Sequence, residues 1–131
     1  MNKRIILLFF IVLFSIIPLF LLFLKTPGCT KRYGVRSYNI SNQWVYKFRY
    51  LDGNVLGFFK AEKDDVRLIH SSNLENGTIS FQLFNSKDNL LVTFSANNTT
   101  DTIKDVFVKG ELYKVVATAT EAKGSFDFKM E

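Results

Sequence analysis

The chain has 131 residues, a formal net charge of +5 and 15% aromatic residues, a size that fits one domain. Residues 30–131 hold 14 basic and 12 acidic residues, so most of the excess positive charge flanks the apolar N-terminal run. A nucleic-acid surface needs a clustered basic face, so the sequence predicts no nucleic-acid partner.

The N-terminal segment is apolar over residues 5–24, which contain no charged side chain. A helix of this length spans about 30 Å, the thickness of the hydrocarbon core of a bilayer. We therefore predict that residues 1–29 form a transmembrane anchor or a lipoprotein signal segment. The expected location is the cell membrane, single-pass or lipid-anchored, with the following domain extracytoplasmic.

The sole cysteine, Cys29, lies just after this run and leaves three alternatives open. The run is retained as an anchor, it is removed and Cys29 is lipidated, or it is cleaved as a simple signal peptide. Gly28 and Cys29 fit a lipobox, whereas Pro27 does not, and no A-x-A-like cleavage site follows the run. Cys29 is the lipidation candidate, and a single cysteine excludes an intramolecular disulfide.

Residues 30–43 are polar, basic and without a clear period, which predicts a linker before a β-sandwich domain at 44–131. From Trp44 onward, apolar and polar residues alternate with a period of two, as in strands with one buried face. Turn signals occur at 52–54, 62–65, 73–77, 85–89 and 123–124.

Short strands separated by turns at such spacing predict an all-β fold, an antiparallel β-sandwich of about eight strands after an N-terminal transmembrane or signal helix. The predicted strands are 44–50, 55–61, 66–70, 78–84, 90–95, 103–108, 112–119 and 125–130.

Two stretches, residues 75–89 and residues 113–128, carry a resemblance to a known group. The first reads Glu-Asn-Gly-Thr-Ile-Ser through Phe-Asn-Ser-Lys-Asp-Asn, and the second contains Tyr-Lys-Val-Val-Ala and Ala-Lys-Gly-Ser-Phe-Asp-Phe. They resemble the strand and turn motifs of small lipoprotein-like or membrane-anchored surface proteins of Gram-positive bacteria. The resemblance implies an exported β-sandwich at the cell surface and assigns no active-site residue.

Residues able to carry out catalysis or bind metal are few. His70 is the only histidine, and the chain has no Gly-x-Ser-x-Gly nucleophile elbow, so we expect His70 to be structural. Glu62, Asp64 and Asp65 lack the spacing of a calcium loop and predict a solvated turn. We therefore predict a protein that is not an enzyme and has no catalytic, cofactor-binding or metal site.

Four Asn-x-Ser/Thr sequences begin at Asn39, Asn76, Asn97 and Asn98. In a eukaryotic secreted protein they are acceptors for glycans. In a bacterial protein, which the resemblance favours, we interpret them as ordinary turn chemistry.

The residues around Gly57 give the candidate binding patch: Leu56, Phe58 and Phe59. Neighbouring residues of a strand face opposite ways, so Phe58 and Phe59 share one core only if a bulge intervenes. The alternatives are a bulge at Gly57, a strand buried on both faces, or one exposed ring that marks a binding surface.

These features lead to two functional hypotheses. The first is a membrane-tethered binding or structural module that contacts an envelope protein or polymer. The second is a carrier that holds an apolar small ligand in a barrel or between two sheets. A packed core favours the first hypothesis, and an apolar pocket favours the second.

Overall fold

A computed structural model describes residues 30–131 as seven antiparallel strands in one sheet. Three strands are long: β3 (Gln43–Lys60), β4 (Leu68–Phe84) and β7 (Leu112–Met130). They lie side by side in the order β3-β7-β4. The short strands are β1 (Lys31–Tyr33) and β2 (Arg36–Ile40), which pair with β3, and β5 (Leu90–Ser95) and β6 (Thr100–Ile103), which pair with β4.

Each long strand changes its buried face near its middle. Buried residues are even-numbered in the first half of β3 and odd-numbered in its second half, and β4 shows the same switch. In β7 the switch runs from odd to even. Interruptions of the register at 48–53, 74–78 and 119–124 lie next to one another across the sheet. One extra residue in a strand reverses the alternation and bends the sheet, so the three interruptions form a corner.

The corner folds the sheet back on itself into two layers. The first layer contains β2, residues 43–48, residues 124–130, residues 68–74 and β6; the second contains residues 53–60, residues 112–120, residues 78–84 and β5. Phe81 of the second layer lies 5.2 Å from Phe126 and 5.0 Å from Phe128 of the first, measured between ring centroids. The predicted antiparallel β-sandwich is therefore confirmed, and it is built from one bent sheet.

Aromatic rings fill the space between the layers. Phe128 stacks on Trp44 at 5.8 Å and meets Phe59 of the opposite layer at 6.2 Å. The core also contains aliphatic residues of all three long strands, among them Leu51, Leu68 and Val115, which are fully buried. Burial of large rings at this density supplies much of the stabilisation that a domain without disulfides needs.

Several predicted boundaries differ from the observed strands. The turn signals at 52–54, 73–77 and 123–124 lie at the corner inside continuous strands, so three strands of 17 to 19 residues replace six short ones. The corner uses the residue types of a hairpin turn because both need positive φ, which glycine adopts readily. Gly53, Gly77 and Gly124 all have positive φ. At Gly124 a side chain would also collide with the carbonyl oxygen of Asn73.

Two further predictions, both for segments at the edges of the sheet, differ from the observed structure. The segment predicted as a linker, residues 30–43, contains β1 and β2, both paired with β3. Their residues are exposed on both faces, so no period-two pattern marks them. The strand predicted at 103–108 is wrong: β6 ends at Ile103, and Phe107 turns into the core from a loop.

Candidate binding face

The second half of β3 exposes one aromatic ring and buries the next. Phe58 is 55% exposed and Leu56 is 51% exposed, whereas Phe59 is 1% exposed and belongs to the core. The register with β7 is regular from Gly53 to Lys60, so no bulge lies at Gly57. Of the three alternatives, the exposed ring is the observed one, and Phe59 is not part of the surface.

Position 57 faces inward, like Val55 and Phe59. The indole of Trp44 occupies the space that a side chain at Gly57 would take. Trp44 lies in the first layer and Gly57 in the second, so this close approach joins the two halves of β3. The lack of a side chain at Gly57 therefore allows the two layers to approach closely at this point, and the alternation on either side is undisturbed.

Leu56 and Phe58 belong to a larger apolar area on the outer side of the second layer. Phe58 pairs with Lys114, which pairs with Phe84, and Phe84 pairs with Leu90. The neighbouring positions add Val116, opposite Leu56, and Leu112, opposite Lys60. Four of these side chains are more than half exposed. We call the following residues the outer patch: Leu56, Phe58, Phe84, Leu90, Leu112 and Val116.

A cleft of about 240 Å³ lies beside the patch, lined by Phe58 and Leu112 on one side and by the turn at 85–88 on the other. Lys114 also lines the cleft. Its Nζ lies 5.1 Å from the centroid of the Phe84 ring and 3.1 Å from the Oδ1 of Asp88. The cleft thus combines an exposed ring, an aliphatic wall, a cation and a carboxylate. Such a mixture suits a ligand that has both apolar and hydrogen-bonding groups.

The turn that carries Asp88 is fixed by its own side chain. The Oδ1 of Asn85 accepts hydrogen bonds from the backbone N–H groups of Lys87 and Asn89, both at 3.0 Å. Asp88 adopts a positive φ of 59°, which this local network supports. The polar side of the cleft is therefore held in place before any ligand binds.

The edge of β3 beside the patch is closed by side chains from residues 30–42. Asn42 bonds the N–H and the carbonyl of Lys60 at 2.9 and 2.8 Å. With its amide in the orientation that satisfies both groups, Asn39 bonds the N–H and carbonyl of Phe58 at 2.7 and 3.1 Å. The Oγ1 of Thr30 does the same for Asn54 at 3.1 and 3.0 Å. These contacts occupy backbone groups that would otherwise accept another strand.

His70 lies in the core and has no exposed surface. It is 0% exposed, and its ring lies 4.4 Å from Phe128, 4.6 Å from Phe81 and 5.3 Å from Phe94. Neither ring nitrogen has a hydrogen-bond partner among the described residues. Burial lowers the pKa of His70 to about 4, an effect larger than the opposing one of the Asp101 carboxylate. A neutral imidazole enclosed by rings is a core residue.

The remaining polar motifs have structural partners. In the acidic turn, the Oδ1 of Asp64 accepts the backbone N–H of Lys109 at 2.9 Å. The side chain of Asn98 accepts the N–H of Leu74 at 2.6 Å, and that of Asn97 accepts the hydroxyl of Thr99 at 2.6 Å. Within residues 30–131, no group of three or more acidic, histidine or cysteine side chains is arranged to hold a metal ion.

The predicted anchor and the lipidation candidate Cys29 lie outside the described residues. In the part of the chain that is described, no helix has the length and hydrophobicity needed to cross a membrane. Membrane attachment and the alternatives at Cys29 therefore stay predictions from the sequence.

No protein family model matches the chain, and no curated protein matches it. One solved structure that it resembles is TmCBM61 in complex with β-1,4-galactotriose, with 11% sequence identity and a TM-score of 0.41. The match covers 72% of this chain and 66% of that chain, so the protein spans slightly less than two thirds of its length. Similarity at this level identifies no ligand for the present chain.

Sequence reasoning found two of the six residues of the outer patch. Leu112 and Val116 fall in a strand whose alternation was evident, but nothing in the sequence places that strand beside Leu56 and Phe58. Phe84 and Leu90 join them through the β4–β7 and β4–β5 pairings. The alternation within each strand shows which of its residues share one face of the sheet. It does not show which strands lie next to each other.

Proposed function

We propose that this protein is a membrane-tethered, extracytoplasmic binding module that contacts an envelope protein or polymer through the outer patch. The observation that carries the proposal is the exposure of Leu56, Phe58 and Leu112 together on the outer face of the second layer. A contiguous apolar area with a polar rim marks an interaction site more often than a random surface does. Lys114, which lies between Phe58 and Phe84, and Asp88, to which it is bonded, supply the polar groups of this surface.

A binding role is favoured over the transport of an apolar ligand because aromatic rings occupy the region between the layers. The contacts of Phe81 with Phe126 and Phe128 of the opposite layer, at 5.2 and 5.0 Å, bridge the centre of that region. A carrier needs a lined cavity at this place. The cleft beside Phe58 is instead open and lies on the outer face.

The proposal includes no catalysis. His70, the residue best suited to act as a general base, is enclosed by Phe81, Phe94 and Phe128. A general base must come within hydrogen-bond reach of the proton it removes. The side chains of the outer patch are apolar and suited to packing, and the neighbouring Lys114 and Asp88 supply hydrogen-bonding groups.

The test is sedimentation with isolated cell envelopes, using the detergent-solubilised full chain. Phe58→Ser removes an exposed ring without disturbing the core, and we expect the fraction bound to fall about tenfold or more, as for a residue central to an interface. Tyr33→Ser is the matched control, because Tyr33 is 62% exposed and lies at the corner, away from the patch.

Equal binding by Phe58→Ser and the unaltered chain contradicts the proposal, as does an equal loss in Tyr33→Ser. The envelopes are also treated with protease or with glycan-degrading enzymes before mixing. Loss of binding after the first treatment identifies a protein partner, and loss after the second identifies a polymer.

A further inference from the structure

The two edges of the second layer are built differently. On one side, Asn39 and Asn42 bond the outward backbone groups of Phe58 and Lys60. On the other side lies β5, which pairs only with β4 among the described strands. In an antiparallel strand about half of the residues direct their N–H and C=O groups away from the neighbour. Those groups of β5 have no strand partner within residues 30–131.

The sequence of β5 also lacks the features that normally protect a sheet edge. The strand reads Leu-Leu-Val-Thr-Phe-Ser, without a charge, a proline or a glycine. The other short strands, β1, β2 and β6, each contain at least one charged residue. Natural proteins place charges, prolines, bulges or covering segments on edges to prevent strand addition. β5 has neither a charge nor a proline, and its one register shift with β4 lies between Leu90 and Val92, so residues 92–95 form a regular edge that accepts a strand.

We propose that β5 pairs edge to edge with β5 of a second copy of this chain, antiparallel and about a twofold axis. An antiparallel pair of identical strands buries the same surface on both copies, which is the commonest arrangement of homodimers. Because β5 has no charge, no like charges meet when the strand lies against itself. A twofold axis at the exposed Thr93 sets each Thr93 opposite its counterpart, a favourable cross-strand pair.

The dimer joins the two second layers, each of four strands, into one continuous sheet. A twofold axis perpendicular to this sheet brings both outer patches to the same side. Leu90 belongs to the patch and to β5, so the patches extend to the dimer interface. Two sites on one face bind a repetitive or multivalent partner more tightly than one site does. The strand pairing itself does not depend on the proposed function of the patch.

The test is disulfide cross-linking of the full chain in membranes, in a Cys29→Ser background that removes the native thiol. Thr93→Cys places a thiol at the twofold axis. Thr118→Cys is the matched control, because Thr118 is also an exposed threonine and lies on β7, in the interior of the same face. We expect mild oxidation to convert Thr93→Cys to a covalent dimer at least tenfold more efficiently than Thr118→Cys.

A second pair of variants tests the contact without a cross-link. Thr93→Lys sets two ammonium groups against each other at the axis, and we expect it to raise the dimer dissociation constant at least tenfold, measured by light scattering in detergent. Thr118→Lys leaves dimerisation unchanged. Both positions are exposed, so circular dichroism should show the same fold for both variants.

Three outcomes overturn the inference. Equal cross-linking at positions 93 and 118 indicates random collision or stacking of sheet faces. A cross-link from position 93 to a different protein shows that another extended segment occupies the edge. A dimer that survives Thr93→Lys, with no cross-link at position 93, is assembled through another part of the chain.

Discussion

The buried histidine makes the stability of the domain dependent on pH. In the folded state the pKa of His70 is about 4, whereas an unperturbed histidine has a pKa of about 6.5. Between these values the unfolded chain binds a proton that the folded chain does not. Stability is therefore complete above about pH 6.5, decreases as the pH falls, and has lost the whole contribution below about pH 4.

The size of the effect follows from the difference in pKa. One pKa unit corresponds to about 1.4 kcal/mol, so His70 accounts for about 3 kcal/mol between pH 7.5 and pH 4. Carboxylates also titrate in this range, and the contribution of His70 is obtained as a difference between variants. His70→Phe keeps an aromatic ring among Phe81, Phe94 and Phe128 and has no proton to bind.

The assay is urea unfolding of the full chain in detergent, followed by the fluorescence of Trp44, the single tryptophan, which is 2% exposed. The gap in unfolding free energy between His70→Phe and the unaltered chain should widen by about 3 kcal/mol from pH 7.5 to pH 4. His70→Leu, a smaller replacement, should give the same change if the larger ring strains the core. Parallel pH profiles for all three proteins would refute the reasoning.

Three further predictions concern single contacts, each measured as the change in unfolding free energy at pH 7.5. Gly57→Ala should destabilise the domain by about 1–3 kcal/mol, because the added methyl meets the Trp44 indole; an unchanged stability contradicts the packing described. Asn39→Ala should cost about 1 kcal/mol and speed hydrogen exchange at the Phe58 amide, and an unchanged exchange rate shows that Asn39 does not cover this edge. Tyr46→Phe should be neutral or stabilising, since the buried hydroxyl of Tyr46 has no partner among the described residues; a loss above about 1 kcal/mol reveals one.

The fold class was predictable because alternation is a local signal. The period of two predicts which side chains face inward in the segments 44–48, 79–83 and 126–130. All of these side chains are buried in the structure. The exposure of Phe58 was predictable only as one of three alternatives. Its neighbour Gly57 is compatible with a bulge or with a close approach of the layers, and the ring of Trp44 decides between them.

The corner was not predictable for a different reason. Residues 52–54 and 73–77 have the glycine and asparagine content of hairpin turns, and positive φ is needed in both a hairpin and a corner. The two differ in which strands pair on either side. Residues before and after Gly53 both pair with β7, not with each other, and this is a contact between distant parts of the chain. The edge strands β1 and β2 escaped prediction because their residues face solvent on both sides.

Photochemical cross-linking in living cells shows whether the outer patch is a binding face. A photoreactive phenylalanine analogue replaces Phe58 in one variant of the full chain and Tyr33, an exposed ring at the corner, in another. If the patch binds an envelope component, position 58 gives one discrete adduct, which Leu112→Ser weakens, and position 33 gives none. No adduct at position 58, or the same adducts from both positions, would contradict this binding role.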